Sequence, residues 1–239
     1  MPSRRWLLLP VTVAALAGVA VIPTETRQAV DSTLYVHTIP LYAKALDFVQ
    51  RDLGYARLVS GIVDEEAAPE ARALTLLEWT RRNIRDTPDG FPVVDDHVLN
   101  IIIRGYGPAW QKAEVFTTLT TYAGVPAFVA SSRQIAPRLT LSFVWVERRW
   151  RVFDVDNGIV FRNRRGDLAS ADELAHDPSL STAAAGGRSY RSQPYEAYFE
   201  GFRPPVAPDV LRGELQMLWP RLSYPVMRLI GLGRREWQS

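Results

Sequence analysis

The spacing of apolar and polar positions divides the chain into segments of helical and of strand character. Apolar residues recur at intervals of three and four positions in residues 41–53 and 70–84, which predicts two amphipathic helices. The second has Glu70 near its start and arginines at its end, as the helix dipole favours. A third helix is predicted over residues 108–122, because the pattern continues there and Gly124 is placed to end it.

Strand patterns follow these helices. Residues 125–130 begin a sheet, and residues 139–146 and 150–155 predict a β-hairpin that closes around residues 147–149. Helices followed by antiparallel strands define an α+β fold, with helices packed on a small antiparallel sheet.

The N-terminus has the pattern of an export signal. Arg4 and Arg5 precede an uncharged apolar run over residues 6–22, and Pro23 ends it. The run has the length of either a cleaved signal peptide or a signal anchor, and the sequence leaves both open. In either case the positive-inside rule places residues 24–239 outside the cytoplasm, in the periplasm or secreted, with the inner membrane as partner through the N-terminus if the run is retained.

The 239 residues suffice for one sizeable domain with extensions. We expect a signal segment at 1–23, a domain at 24–163, and a proline-containing connector with an amphipathic C-terminal extension at 164–239. In that extension, apolar residues from Leu211 to Ile230 mix with arginines from Arg212 to Arg235. This pattern fits an interfacial helix on anionic lipid, or a helix that covers the domain.

Composition excludes several kinds of chemistry. The chain has no cysteine, so it has no disulfide, no thiolate metal site and no thiol nucleophile. Its net charge of +2 is spread over arginines among nearly as many acidic groups, which does not indicate a nucleic-acid partner. We expect no metal site and no cofactor.

The middle third of the chain resembles the transglutaminase-like family, a branch of the papain-like cysteine enzymes. The resemblance covers about residues 70–163. It is carried by the predicted hairpin and by three short motifs, which are Gly107-Pro108-Ala109-Trp110-Gln111-Lys112-Ala113, Tyr122-Ala123-Gly124-Val125-Pro126-Ala127 and Trp150-Arg151-Val152-Phe153-Asp154. The first is similar to the family's glycine, any residue, cysteine, with alanine four positions on. The third is similar to a tryptophan with the triad aspartate four positions later.

The resemblance implies a papain/transglutaminase-like core whose catalytic residues are lost. The nucleophile position falls on Ala109, and the histidine position on Leu139 or Phe143, depending on the alignment of the hairpin. Only Asp154 of the triad is retained, and we expect it to be a structural carboxylate that accepts hydrogen bonds from backbone or arginine groups. The chain is therefore expected to be a pseudoenzyme.

Four aromatic residues are candidates for ligand binding. Tyr106, Trp110, Trp145 and Trp150 would line the former cleft and stack on a glycan or peptide, or else serve as core aromatics. Together with the export signal, this predicts a cell-envelope module that binds a glycan, a peptide or an envelope protein, with surface polysaccharide assembly as the context that the resemblance implies.

An enzyme with a relocated catalytic group is the alternative. It would be an amidase, protease or transamidase in which His97, a serine or a threonine has taken over. Asp95-Asp96-His97 has the residue types of a metal or acid–base cluster, and Ser131-Ser132 could supply a nucleophile, but ordinary loop polarity is the favoured interpretation of both.

Overall fold

The structure is a computed structural model that describes residues 18–131 and 138–229. Within these ranges the chain is α+β, with helices packed on small antiparallel sheets, which confirms the predicted fold class. No helix in the described ranges is long and apolar enough to cross a membrane. Most of the predicted signal segment, residues 1–23, lies outside the described residues.

The N-terminal half of the described chain is a β-ribbon followed by four helices. The elements are β1 (Pro23–Val30), β2 (Thr33–Pro40), α1 (Leu41–Ile62), α2 (Pro69–Asn83), β3 (Val94–Asp95), α3 (Val98–Arg104) and α4 (Ala109–Tyr122). Strands β2, β1 and β3 form an antiparallel sheet in that order. The helix predicted over residues 41–53 continues through Gly54 to Ile62. Helix α4 begins at Ala109, one residue later than predicted, with Pro108 as its N-cap.

The second half carries the main sheet and a further helical layer. Its elements are β4 (Ala127–Ser131), β5 (Thr140–Val146), β6 (Arg149–Asp154), β7 (Ile159–Val160), α5 (Ala171–His176), α6 (Ser179–Ala185), β8 (Ser189–Tyr190), β9 (Gln193–Pro194), α7 (Tyr195–Phe199), a 3₁₀ turn (Glu214–Gln216) and α8 (Leu218–Leu229). Strands β4 to β7 are antiparallel neighbours in chain order. The β5–β6 hairpin turns at Glu147 and Arg148, which both have positive φ, as in a two-residue type I′ turn.

Neighbouring residues of each strand point to opposite faces of the main sheet. Helices cover both faces, so the sheet contributes to two cores. Val144 and Phe153 belong to the core that α1 to α4 cover. Phe143 and Val152, which are partners across the hairpin, belong to the second core, which α5 to α7 cover. Residues beyond 163, where the sequence predicts a connector and an amphipathic C-terminal extension, thus supply a whole layer of this second core, including Leu174.

Candidate functional site

The position expected for the nucleophile lies in the first turn of α4. Pro108 precedes the helix in an extended conformation, and its carbonyl accepts hydrogen bonds from the backbone N–H groups of Gln111 (2.9 Å) and Lys112 (3.1 Å). Ala109 is half-buried at this N-terminus. A helix N-terminus would lower the pKa of a thiol placed there, but the side chain present is a methyl group and cannot attack a carbonyl carbon.

Asp154 ends strand β6 and is fully buried. Its Oδ2 accepts hydrogen bonds from the Tyr195 hydroxyl (2.6 Å) and the Asn157 side-chain amide (2.8 Å). Its Oδ1 accepts a hydrogen bond from the Asn157 backbone N–H (3.1 Å). Burial raises the pKa of Asp154, and the hydrogen bonds from Tyr195 and Asn157 oppose that shift. The expected structural carboxylate is therefore held by a tyrosine and an asparagine, with no arginine among the partners found in the described chain.

The tyrosine comes from the C-terminal layer. Tyr195 is the first residue of α7 and is buried. Burial and the charge of Asp154 raise the pKa of the Tyr195 phenol well above its usual range, so its hydroxyl stays protonated and donates to the carboxylate. The sequence had not singled out Tyr195, because it lies 41 positions from Asp154 in an irregular segment.

Both positions considered for the histidine are apolar and buried. Leu139 precedes β5, and Phe143 lies within it, stacked on Phe128 with ring centroids 5.0 Å apart. Both belong to the same core as Tyr195. This side of Asp154 is thus filled by packed hydrocarbon and by the tyrosine.

A lysine connects the first turn of α4 to the segment that follows Asp154. The Lys112 Nζ donates hydrogen bonds to the carboxylates of Asp86 (2.6 Å) and Asp156 (2.8 Å). Asp156 is two residues beyond Asp154, so the turn that carries Ala109 meets the β6–β7 turn. Burial alone would lower the pKa of Lys112, but the hydrogen bonds to Asp156 and Asp86 outweigh it and raise the pKa above the usual value. The cue in the sequence is that Lys112 is the one cationic residue of this helix.

Replacing Lys112 by methionine is expected to lower the free energy of unfolding by about 1–2 kcal/mol at neutral pH. Most of this comes from Asp156, since the Asp86 side chain is 86% exposed and water screens it. Because the folded-state pKa of Lys112 is raised, its contribution is complete below the unfolded value of 10.5 and is lost as pH rises through the folded value. Urea unfolding from neutral to strongly alkaline pH should show the difference shrinking.

Lys44 provides the matched control for this substitution. It is the other lysine of the chain, it is exposed on α1, and it donates to a backbone carbonyl at the surface. Lys44→Met should change stability by less than about 0.5 kcal/mol. Equal effects of the two substitutions would show that the Lys112 bridge does not stabilise the fold.

A second polar network, centred on Arg104 and Gln111, holds the N-terminus of α4 in place. Arg104 donates to the carbonyls of Val94 (2.7 Å) and Tyr106 (3.2 Å), to the Gln111 Oε1 (2.8 Å) and to Asp96 (3.2 Å). The Gln111 side chain is fully buried and also donates to the Val94 carbonyl (2.7 Å). These contacts hold α3, β3 and α4 together.

Gly107 of the first motif is explained by this network. A Cβ at Gly107 would lie 2.6 Å from the Gln111 Oε1 and 3.0 Å from the Gln111 Cβ. The close approach of the Gln111 side chain therefore requires a glycine at position 107, whether or not a nucleophile follows it.

The four candidate aromatics do not form one cluster. Tyr106 packs edge-on against Phe91, with centroids 5.6 Å apart. Trp145 and Trp150 are partners across the hairpin with centroids 4.9 Å apart, next to its turn. At the usual rise of about 3.3 Å per residue, Trp150 is roughly 13 Å along β6 from Asp154. Of the four, only Trp110, half-buried in the first turn of α4, lies next to Ala109, the position expected for the nucleophile.

The other polar candidates have structural partners. Asp96 pairs with Arg104 at 3.2 Å, and no group of residues able to hold a metal ion occurs in the part of the chain that the structure describes.

His97 is the N-cap residue of α3 and lines a groove beside Arg51. Burial, with the charge of Arg51, lowers the pKa of His97, so the imidazole is neutral at neutral pH. Ser131 is exposed at the end of β4, and Ser132 lies outside the described residues.

Comparisons with known proteins add little to this geometry. No family model matches the chain, and no curated protein matches it. One solved structure is similar, a protein from Parabacteroides distasonis ATCC 8503 provisionally described as a protease. It shares 10% identity and a TM-score of 0.32 over 58% of this chain and 40% of its own length. A TM-score of this size does not establish a shared fold, and the resemblance to the transglutaminase-like family stays a prediction.

Proposed function

We propose that this chain is a non-catalytic transglutaminase-like module of the cell envelope that binds a glycan, a peptide or a protein partner, in a setting such as surface polysaccharide assembly. The family and the setting come from the sequence motifs and the export signal. The loss of catalysis is supported by one observation above all, the environment of Asp154.

Covalent acyl transfer requires a nucleophile and a base within hydrogen-bond reach of each other, with a third group to orient the base. At the mapped positions the chain has the Ala109 methyl group and buried apolar side chains. Both oxygens of Asp154 already accept hydrogen bonds from Tyr195 and Asn157. Asp154 is fully buried, and the donors that reach it among the described residues are a phenol and an amide rather than an imidazole.

A relocated catalytic group would need other partners. The chain has three histidines, at positions 37, 97 and 176, and none is among the partners of Asp154 found in the described residues. Ser142 is paired in register with Phe153 on the neighbouring strand, but it is fully buried, and substrate cannot reach its hydroxyl. The geometry therefore favours binding over turnover.

The protein is expected to release neither ammonia nor peptide from glutamine-containing and peptide substrates above the rate of a heat-denatured sample. In serine proteases that lack a member of the triad, binding and dipoles alone leave a residual acceleration of about 10³–10⁴ over water, which is far below that of a working enzyme. The native chain is compared with Asp154→Asn, a variant that retains most of the side-chain volume. Robust turnover that disappears in Asp154→Asn, while thermal unfolding shows that the variant is folded, would replace the binding proposal by an enzyme that uses the same cleft.

Binding is tested at Trp110. The probes are immobilised bacterial surface polysaccharide fragments and cell-wall peptides, offered to the native chain and to Trp110→Ala and Trp110→Phe. We expect that Trp110→Ala weakens capture at least tenfold and that Trp110→Phe restores part of it, because an aromatic face stacks on sugars and prolines. Capture that is equal in all three would place the binding surface elsewhere.

A further inference from the structure

The last helix exposes its apolar side. In α8, Leu218, Leu222, Val226 and Leu229 fall on one face at intervals of four, four and three residues. Leu222 is 60% exposed and the adjacent Trp219 is 77% exposed. A helix that served only to cover the domain would turn this face inward. Among the described residues nothing covers it.

Helix α1 exposes a second apolar stripe. Tyr42, Leu46, Val49 and Leu53 recur at intervals of four, three and four, and all are exposed, with Leu46 and Leu53 each at 64%. The buried side of the same helix is a different one, marked by Tyr55 and Val59. Exposed apolar side chains on this scale indicate an interaction surface.

The two stripes border one groove of about 790 Å³. Val49 of α1 and Leu218 and Leu222 of α8 line it, together with Ile103 of α3, which is itself exposed. The backbone N–H of Leu218 lies 3.4 Å from the Asp52 carboxylate, so α8 is joined to α1 at one end. We call this surface, made of the two stripes and the groove, the α1–α8 face.

Two observations indicate the partner of the α1–α8 face: the charges in its groove and the position at which the N-terminal apolar run ends. Four cationic side chains line the groove, namely Arg27, Lys44, Arg51 and Arg221, against two acidic ones, Glu25 and Asp47. From residue 218 onward the sequence has four arginines and one glutamate. The apolar run of residues 6–22 ends on the same face, since the Leu41 backbone N–H at the start of α1 donates to the Ile22 carbonyl at 2.9 Å.

We propose that the α1–α8 face lies on the surface of an anionic lipid bilayer, with α8 as an interfacial helix. Leucines enter the acyl boundary, Trp219 lies at the level of the headgroups, and the arginines meet lipid phosphates. A second copy of the chain fits this face less well, because a two-fold contact would bring the excess of cations opposite itself.

The absence of cysteine allows a direct test on the full chain. Leu46→Cys, Leu222→Cys and Val226→Cys each introduce a single thiol for a nitroxide spin label, and Glu200→Cys on the exposed far layer is the control. The proteins are reconstituted in vesicles of phosphatidylglycerol and phosphatidylcholine. Relaxation by oxygen and by a water-soluble nickel complex then reports the depth of each label.

We expect labels at 46, 222 and 226 to gain oxygen contact and to lose nickel contact by several-fold relative to the label at 200. The difference should decrease in pure phosphatidylcholine and at high salt. Anchoring through the N-terminal run alone would leave all four labels equally open to nickel, which would overturn the proposal. Dipolar broadening between labels at position 222 of neighbouring molecules, without the depth change, would overturn it in favour of a second copy.

Discussion

Replacing Asp154 by alanine is expected to lower the free energy of unfolding by about 3 kcal/mol, and the midpoint of thermal unfolding by about 6–12 °C. The substitution leaves three buried or partly buried donors without an acceptor, the Tyr195 hydroxyl and the two Asn157 groups. It also removes the side chain that fixes the β6–β7 turn. Calorimetry and urea unfolding of the purified protein measure both quantities.

Two companion variants separate the contributions. Asp154→Asn keeps an acceptor and most of the volume, so its cost should be clearly smaller than that of alanine. Tyr195→Phe removes one hydroxyl and should cost about 1 kcal/mol. In the double variant Asp154→Ala/Tyr195→Phe the two losses should not add, because they share one hydrogen bond. If Asp154→Ala were as stable as the native chain, the carboxylate would have no structural role, and its retention would again indicate catalysis.

A structural role is sufficient to account for an aspartate at position 154. The carboxylate joins the end of β6, the turn after it and the first residue of α7. This junction is needed whether or not the chain is related to enzymes with a catalytic triad. The contacts of Asp154 with Tyr195 and Asn157 lie in the core, as the expectation of a structural carboxylate requires.

Helix α4 and the β5–β6 hairpin could be predicted because their signals are local. The apolar periodicity of residues 108–122 and the alternation on both sides of residues 147–148 are properties of the sequence itself. Burial of one face then selects the helix and the strands without reference to distant residues. The glycine at 107 was also identified, although its physical reason, the Gln111 side chain beneath it, is visible only in three dimensions.

The first ribbon was missed because its turn has no glycine. Asp31 and Ser32 both have positive φ in a two-residue turn, a geometry usually marked by Asn-Gly or Asp-Gly. Tyr195 and Lys112 were missed for another reason. Their partners lie 41 positions away in one case and 26 and 44 positions away in the other, and pairing at such separations is not readable from one sequence. The residues around the candidate site that sequence reasoning overlooked are thus those whose structural contacts are non-local.

The second large effect is expected at Arg104. Replacing it by methionine should lower the free energy of unfolding by about 3 kcal/mol, because this breaks a largely buried ion pair and leaves the Gln111 Oε1 without its donor. The Arg104 and Asp96 side chains are 15% and 9% exposed, so solvent compensates little. Arg104→Lys keeps the charge but loses the planar fork that reaches several acceptors at once, and should recover only part of the loss.

Arg82→Met is the matched control, since Arg82 forms an ion pair with Glu78 at 2.7 Å while both side chains are more than half exposed. It should cost less than about 0.5 kcal/mol. Hydrogen exchange then localises the effect of Arg104→Met, and we expect faster exchange at the first turn of α4, where Gln111 and Lys112 donate to Pro108, with little change in β6. Uniform loss of protection across both elements, or a cost no larger than that of Arg82→Met, would show that this network does not hold the N-terminus of α4 in place.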